Sequence, residues 1–182
     1  MKKLIALVAL GSTAGCMVDN SSTTVAAAAP VVASSVSPAD RAAIDATLDA
    51  VYAVISGPVG QPRDFDTMRA MFTQDARLYA VGPNNTMGGG TLDDYIERSG
   101  NFLVNNGFTE TALVNRIEVY GDVAHAWSSY AGTFTQNGQP GSVRGINSFQ
   151  LHRQADGSWK VHSIFWQAER PGLPLPADME AM

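Results

Sequence analysis

The sequence predicts an α+β domain in which three N-terminal helices pack on one side of a curved, mostly antiparallel sheet. Two patterns carry this reading. Apolar residues recur at helical spacing through the first part of the folded region. From Thr109 onward, long segments alternate apolar with polar and break only at turn residues. Length sets the scale: 182 residues, 45% hydrophobic and 16% charged, suit one ordinary globular domain.

Ser37-Pro38-Ala39-Asp40 opens the first helix, with Ser37 as cap and Pro38 at the first helical position. Ile44, Leu48, Val51, Tyr52 and Ile55 form its apolar stripe, and Gly57-Pro58 stops it. Asp64 to Phe72 reads as a short second helix with Phe65, Met68 and Phe72 on one face. A strand follows over Ala76 to Val81, with Asp75 shaping the turn into it. Gly82 to Gly90 is rich in Gly, Asn and Pro and reads as a mobile loop, its glycines a hinge or lid. Thr91 to Asp94 has the form of a capping box for a third helix, which closes near Asn106-Gly107. Four strands complete the domain: Thr109–Tyr120, Val123–Gln136, Ser142–Gln154 and Ser158–Glu169.

Residues 1–15 read as an address. Lys2 and Lys3 precede the uncharged apolar run Leu4 to Leu10, and small residues follow, which is the layout of a secretory signal. Thr13-Ala14-Gly15-Cys16 resembles a bacterial lipobox, with Thr13 where such motifs carry a larger apolar residue. The resemblance implies lipidation at Cys16 and, with Met17 behind it, an exported lipoprotein on the periplasmic side of the outer membrane. Ordinary cleavage near Ala14 or within Ala26–Ala29 is the alternative. Residues 16–37 read as a flexible tether, 38–170 as the domain and 171–182 as an irregular surface tail.

Register assigns faces. Centring the last hairpin on Asp156-Gly157 sets Asn147 opposite Trp166 and Phe149 opposite Ile164. Centring the previous one near Gly138-Gln139 sets Asn147 near Ala131, and the Gly121 turn sets Asn115 near Trp127. The more apolar face then carries Trp127, Phe149, Ile164 and Trp166, with Asn115, His125, Ser129 and Asn147 among them. This face is expected to meet the helices and enclose a pocket. Glu110, Ser128, Tyr130 and Arg144 fall on the other face, toward solvent or a partner copy.

Several strings resemble the SnoaL-like domains of the nuclear-transport-factor-2-like superfamily, whose fold is cone-shaped. They are Phe65 through Ala76, Tyr120-Gly121-Asp122-Val123-Ala124-His125-Ala126-Trp127, and Arg144 to Leu151 followed by Gly157-Ser158-Trp159-Lys160-Val161. The resemblance covers roughly residues 38–170 and implies a deep apolar pocket with a few polar groups. It does not imply one activity, because the superfamily includes enzymes, binding domains and assembly domains.

His125 is the candidate acid or base, because histidine is the side chain type suited to exchanging a proton at physiological pH. Asn147 is placed to orient a carbonyl or hydroxyl, and Trp127 and Trp166 are placed to supply flat walls. Glu110, Tyr130 and Arg144 form a second constellation. Arg144 would bind a carboxylate if a bulge turned that face inward, and would otherwise form an exposed ion pair with Glu110. The leading expectation is an envelope-tethered binder of a small apolar or aromatic molecule. The alternatives are a cofactor-free SnoaL-like enzyme doing proton-transfer chemistry and a homodimeric assembly module that pairs through the sheet. No cofactor is expected. His125, His152 and His162 lack metal-ligand spacing, and no basic stripe invites nucleic acid.

Overall fold

The computed structural model describes residues 36–181. The expected signal sequence, the lipobox-like segment with Cys16 and nearly all of the expected tether lie outside the described residues. Helices α1 (Pro38–Ile55), α2 (Phe65–Ala70) and α3 (Leu92–Asn105) combine with strands β1 (Phe72–Val81), β2 (Met87–Thr91), β3 (Thr109–Tyr120), β4 (Val123–Gln136), β5 (Gln139–Arg153) and β6 (Trp159–Ala168). The strands form one sheet in the order β2-β1-β6-β5-β4-β3. β1 runs parallel to β6, and the other neighbours are antiparallel.

The mixed α+β class is as expected, but the helices are not one N-terminal block. β1 and β2 intervene before α3. The segment expected to be a mobile loop folds instead into a short 3-10 turn, Pro83–Asn85, and an edge strand. Gly88, Gly89 and Gly90 of that strand pair with Ala80, Tyr79 and Leu78. At Gly89 a side chain would collide with the Leu78 carbonyl and the Tyr79 ring, so the glycine permits the close approach.

α1 forms where its caps and stripe place it. Ser37 accepts from the Asp40 amide at 3.0 Å, and Ile44, Leu48, Val51, Tyr52 and Ile55 are all buried. α3 carries the full capping box, Thr91 and Asp94 satisfying each other's backbone amides. The stripe of α1 lies on the sheet face that presents Phe149, Leu151, Val161 and Ile164, all buried. Tyr52 meets the edge of Phe149 with ring centroids 6.0 Å apart.

The hairpin turns correct the expected faces. Gly121-Asp122 is flanked by Tyr120 and Val123, which pair, so Ile117 meets Ala126 and Asn115 meets Ser128. Asn137 and Gly138 both have positive φ, 53° and 74°, as a two-residue type I′ turn requires. They bring Gln136 opposite Gln139 and Asn147 opposite Ser128. Both expected registers were off by an odd number of residues, so β4 turns over. Ala126, Ser128 and Tyr130 point to the helices, while His125, Trp127 and Ser129 point away. On β5 and β6 the expected pairs Asn147–Trp166 and Phe149–Ile164 are present. A shift after Gln150 then skips His162, so Leu151 meets Val161, and Val161 is buried instead of outward.

The C-terminal segment is irregular, as expected, and two of its side chains are held against the domain. Met179 and Leu175 are buried. The Met179 carbonyl accepts from Ser129 Oγ at 2.6 Å, and Arg116 pairs with Asp178 at 3.0 Å. The segment therefore lies across the outer face of the sheet.

One buried cation ties the ends of the helices together. Arg63 donates to the carbonyls of Ile55, Gly57 and Leu103 at 3.0, 2.7 and 2.8 Å, and also to that of Gln61. The Ile55 and Leu103 carbonyls lie in the last turns of α1 and α3, where the helix supplies no partner, and those of Gly57 and Gln61 lie in the loop after α1. Arg63→Met should remove this donor from all four at once, leaving Leu103 only the Phe108 amide. The expected cost is about 3 kcal/mol, a fall of roughly 10 °C in the thermal midpoint, readable by calorimetry.

Candidate functional site

A cavity of about 270 Å³ lies between the sheet and the helices. Val51 and Ile55 of α1, Tyr95 and Phe102 of α3, and Leu78, Ile164 and Trp166 of the sheet make its apolar walls. Tyr95 meets the edge of Trp166 at 6.2 Å between centroids. A dry hollow of about 150 Å³ holds one benzene ring, so this one suits a molecule of one or two rings. Four polar side chains open onto it: Glu110, Asn147, Tyr130 and Ser99.

Glu110 reaches the cavity because β3 is irregular. Ala112 pairs with Tyr130 and Val114 with Ser129, which leaves Leu113 as an extra residue. The bulge puts Glu110 on the same face as Asn115, five positions on, where strict alternation would separate them. Glu110 Oε1 accepts from Asn147 Nδ2 at 3.3 Å. Burial in the apolar hollow raises its carboxyl from the ordinary 4.5 to about 7, and the Asn147 amide opposes part of that rise. Burial also raises the Tyr52, Tyr95 and Tyr130 phenols well above their usual value.

The structure brings Glu110, Tyr130, Asn147 and Trp166 together at the cavity. Asn115 lies behind them, bonded to Ser128 Oγ at 2.7 Å and Asp45 at 3.0 Å. His125, Trp127 and Arg144 are not there, because the inverted register of β4 and the pleat of β5 set them on the outer face. His125 Nε2 lies 3.1 Å from Ser148 Oγ, with Trp127 beside it at 6.1 Å. Arg144 faces Glu180 at 3.3 Å and Glu169 at 3.7 Å, so the expected Glu110–Arg144 pair does not form. Tyr52, read only as part of the α1 stripe, and Ser128, read as outward, were not expected beside the cavity, yet the two are bonded to each other there. Asn137-Gly138, read as the turn, would have placed Ser128 inward.

The outer face has its own hollow of about 290 Å³, between β5, β6 and the C-terminal segment. Its one ionisable lining residue, Glu169, is engaged by the Leu175 amide at 2.6 Å. It therefore presents no free acid or base. Among the described residues no group of three or more His, Cys, Asp or Glu side chains is arranged to hold a metal ion, and no helix is long and apolar enough to cross a membrane.

No protein-family model and no curated protein matches the chain. Solved structures do. A provisionally named aromatic ring hydroxylase from Novosphingobium aromaticivorans is 20% identical with a TM-score of 0.61, over 75% of this chain and 94% of its own. A nuclear-transport-factor-2-like protein of unknown function from Shewanella baltica is 21% identical with a TM-score of 0.51, over 75% and 98%. A provisionally named ketosteroid isomerase from Shewanella frigidimarina is 18% identical with a TM-score of 0.52, over 68% and 94%. At these identities the likeness is one of fold, and the chain has the nuclear-transport-factor-2-like fold.

The raised carboxyl makes a stability prediction. A group more acidic unfolded than folded favours folding only while protonated, so its contribution is lost as pH climbs from about 4.5 to about 7. Glu110→Gln removes that loss. The variant should match the parent in stability at pH 4 and exceed it at pH 8 by on the order of 2 kcal/mol, after discounting for partial water access, measured by urea unfolding at both pH values.

Proposed function

We propose that the domain binds a small, largely apolar cyclic or aromatic molecule bearing an oxygen, and moves a proton on it through Glu110 without a cofactor. The observation that carries this is a single carboxyl, raised to about 7 by burial, in a mainly apolar cavity. A group poised near working pH serves as base in one step and acid in the next. Glu110 takes a proton from the carbon beside a carbonyl and returns it to the same or a neighbouring carbon, so the ligand is exchanged or isomerised with no net gain or loss. Tyr130 donates to the carbonyl oxygen as negative charge builds there. Tyr95 and Trp166 hold the ring. The fold is shared with a provisionally named isomerase, which makes such chemistry compatible with the scaffold without assigning it.

The place of action belongs to the same reading. Cys16 carries lipid and tethers the domain on the periplasmic side of the outer membrane. Mass spectrometry of the native protein should find a mature chain starting at a modified Cys16, and residues retained before it would reject the anchor. Pairing of two copies through the outer face has one feature in its favour, the 45% exposure of Phe165, although the C-terminal segment covers part of that face.

The chemistry is testable without knowing the natural ligand. Small cyclic ketones in deuterated buffer should exchange their α-protons faster with the protein than without it, followed by proton NMR. Glu110→Gln should cut the rate 10²- to 10⁴-fold, while quenching of Trp166 fluorescence by the ketone persists. Exchange no faster than in buffer alone would leave binding as the domain's only role.

A further inference from the structure

An unbroken line of side chains joins the cavity to the domain surface. Asn147 Nδ2 donates to Tyr52 Oη at 3.1 Å as well as to Glu110. Tyr52 Oη lies 2.7 Å from Ser128 Oγ, and Ser128 Oγ donates to Asn115 Oδ1 at 2.7 Å. Asn115 Nδ2 donates to Asp45 Oδ1 at 3.0 Å. Asp45 Oδ2 accepts from Arg41 Nε at 2.6 Å, and Arg41 also donates to the Asn115 carbonyl at 3.1 Å. Tyr52, Ser128 and Asn147 are buried, while Arg41 and Asp45 are open to solvent.

The line has a direction, and its outer end sets it. An ionised carboxylate only accepts, so Asp45 must face the amide nitrogen of Asn115. That turns Asn115 Oδ1 to Ser128, which must then donate to it. The Ser128 hydroxyl has only one proton, so it accepts from Tyr52. The Tyr52 proton is committed in turn, so its oxygen accepts from Asn147. The result reaches the cavity: Asn147 shows Glu110 its nitrogen. Reversed, the same line would show Glu110 the carboxamide oxygen, which can bond only to the protonated acid.

We propose that the Arg41–Asp45 pair is a positioning device for the cavity: the hydrogen-bond line that it terminates fixes the orientation of the Asn147 carboxamide, and hence the group that Glu110 meets. The proposal deepens the reading of the cavity as a proton-transfer site, but it concerns the resting protein and needs no ligand. Neither Arg41 nor Asp45 touches Glu110. Tyr52, Tyr95 and Tyr130 all face that carboxyl, but Asn147 is the member of the line bonded to it, so the effect must pass through that amide.

The test is the titration of the Glu110 side-chain carboxyl in protein carrying ¹³C-labelled glutamate, followed by NMR. Asp45→Asn can offer Asn115 either an oxygen or a nitrogen, so it removes the direction while keeping the shape. The Glu110 midpoint should rise by roughly 0.5–1 pH unit, about half of what one hydrogen bond to a charged group is worth, because the Asn147 amide loses its fixed direction and not its presence. Arg41→Gln, an exposed change, should move it the same way by less. Asn147→Leu removes the final donor and should also raise it, and Asp45→Asn added to Asn147→Leu should produce no further rise. A midpoint unmoved by Asp45→Asn, or a rise that persists in full when Asn147 is already Leu, overturns the proposal. A parent midpoint far below 7 would count against the proton-transfer reading instead, because the relay is judged by the difference between variants.

Discussion

The cavity depends on where the pleat of β3 breaks. A strand that alternates strictly sends residues five apart to opposite faces. Leu113 stands outside the pairing of β3 with β4, so the strand shows Asn115 and Glu110 to the same helices. Without that bulge either the acid or the anchor of its hydrogen-bond line would point to solvent. The two tight turns that flank β4 do the complementary task. They set Ser128 and Tyr130 inward and send His125 and Trp127 outward.

The same constraint explains how α1 finds its place on the sheet. Its apolar stripe could slide along a greasy face with little change in area buried, because burial is not directional. Tyr52 removes that freedom. Its ring packs on Phe149 while its hydroxyl joins Ser128 and Asn147. Each such bond contributes only about 1 kcal/mol, but a buried partner left unmade costs about 1–3 kcal/mol. A displaced helix would strand several of these groups at once. Arg63 acts likewise on the far ends of α1 and α3, where its guanidinium gathers carbonyls that no helix bond satisfies.

Much of this was legible in the residues. The caps at Ser37 and Thr91 and the stripe of α1 follow from local rules that tertiary packing does not override, and of the β5–β6 register the pairs Asn147–Trp166 and Phe149–Ile164 were read correctly while Leu151 meets Val161 instead of His162. Asn147 and Trp166 were placed at the pocket for that reason. Glu110 and Tyr130 were named but set on the wrong face. Face assignment is a parity question, and parity is lost with any odd error in a turn or any single bulge. The β4–β5 turn was readable, since Asn137-Gly138 is a strong type I′ signal. The bulge at Leu113 was not, because nothing in Ala112-Leu113-Val114 differs from ordinary strand sequence. β2 was hidden by its glycines, which read as loop until a neighbouring strand pairs with them.

Comparison of the carboxylates supports Glu110 as the site's reactive group. Asp40, Asp64, Asp94 and Asp156 are all held below their usual range, first by hydrogen bonds from Ser37, Thr67, Thr91 and Ser158 at helix starts and a turn. Asp75 is held low by the backbone where β1 bends. These groups shape the chain and stay ionised. Glu110 is pushed the other way, because the strand carries it into an apolar hollow where Asn147 donates to it. Full burial with no donor would hold the acid permanently neutral, and several donors would hold it permanently charged. One amide against an apolar wall leaves it near the middle, where either form can be reached. That balance is what the proposed proton transfer requires of its acid and base.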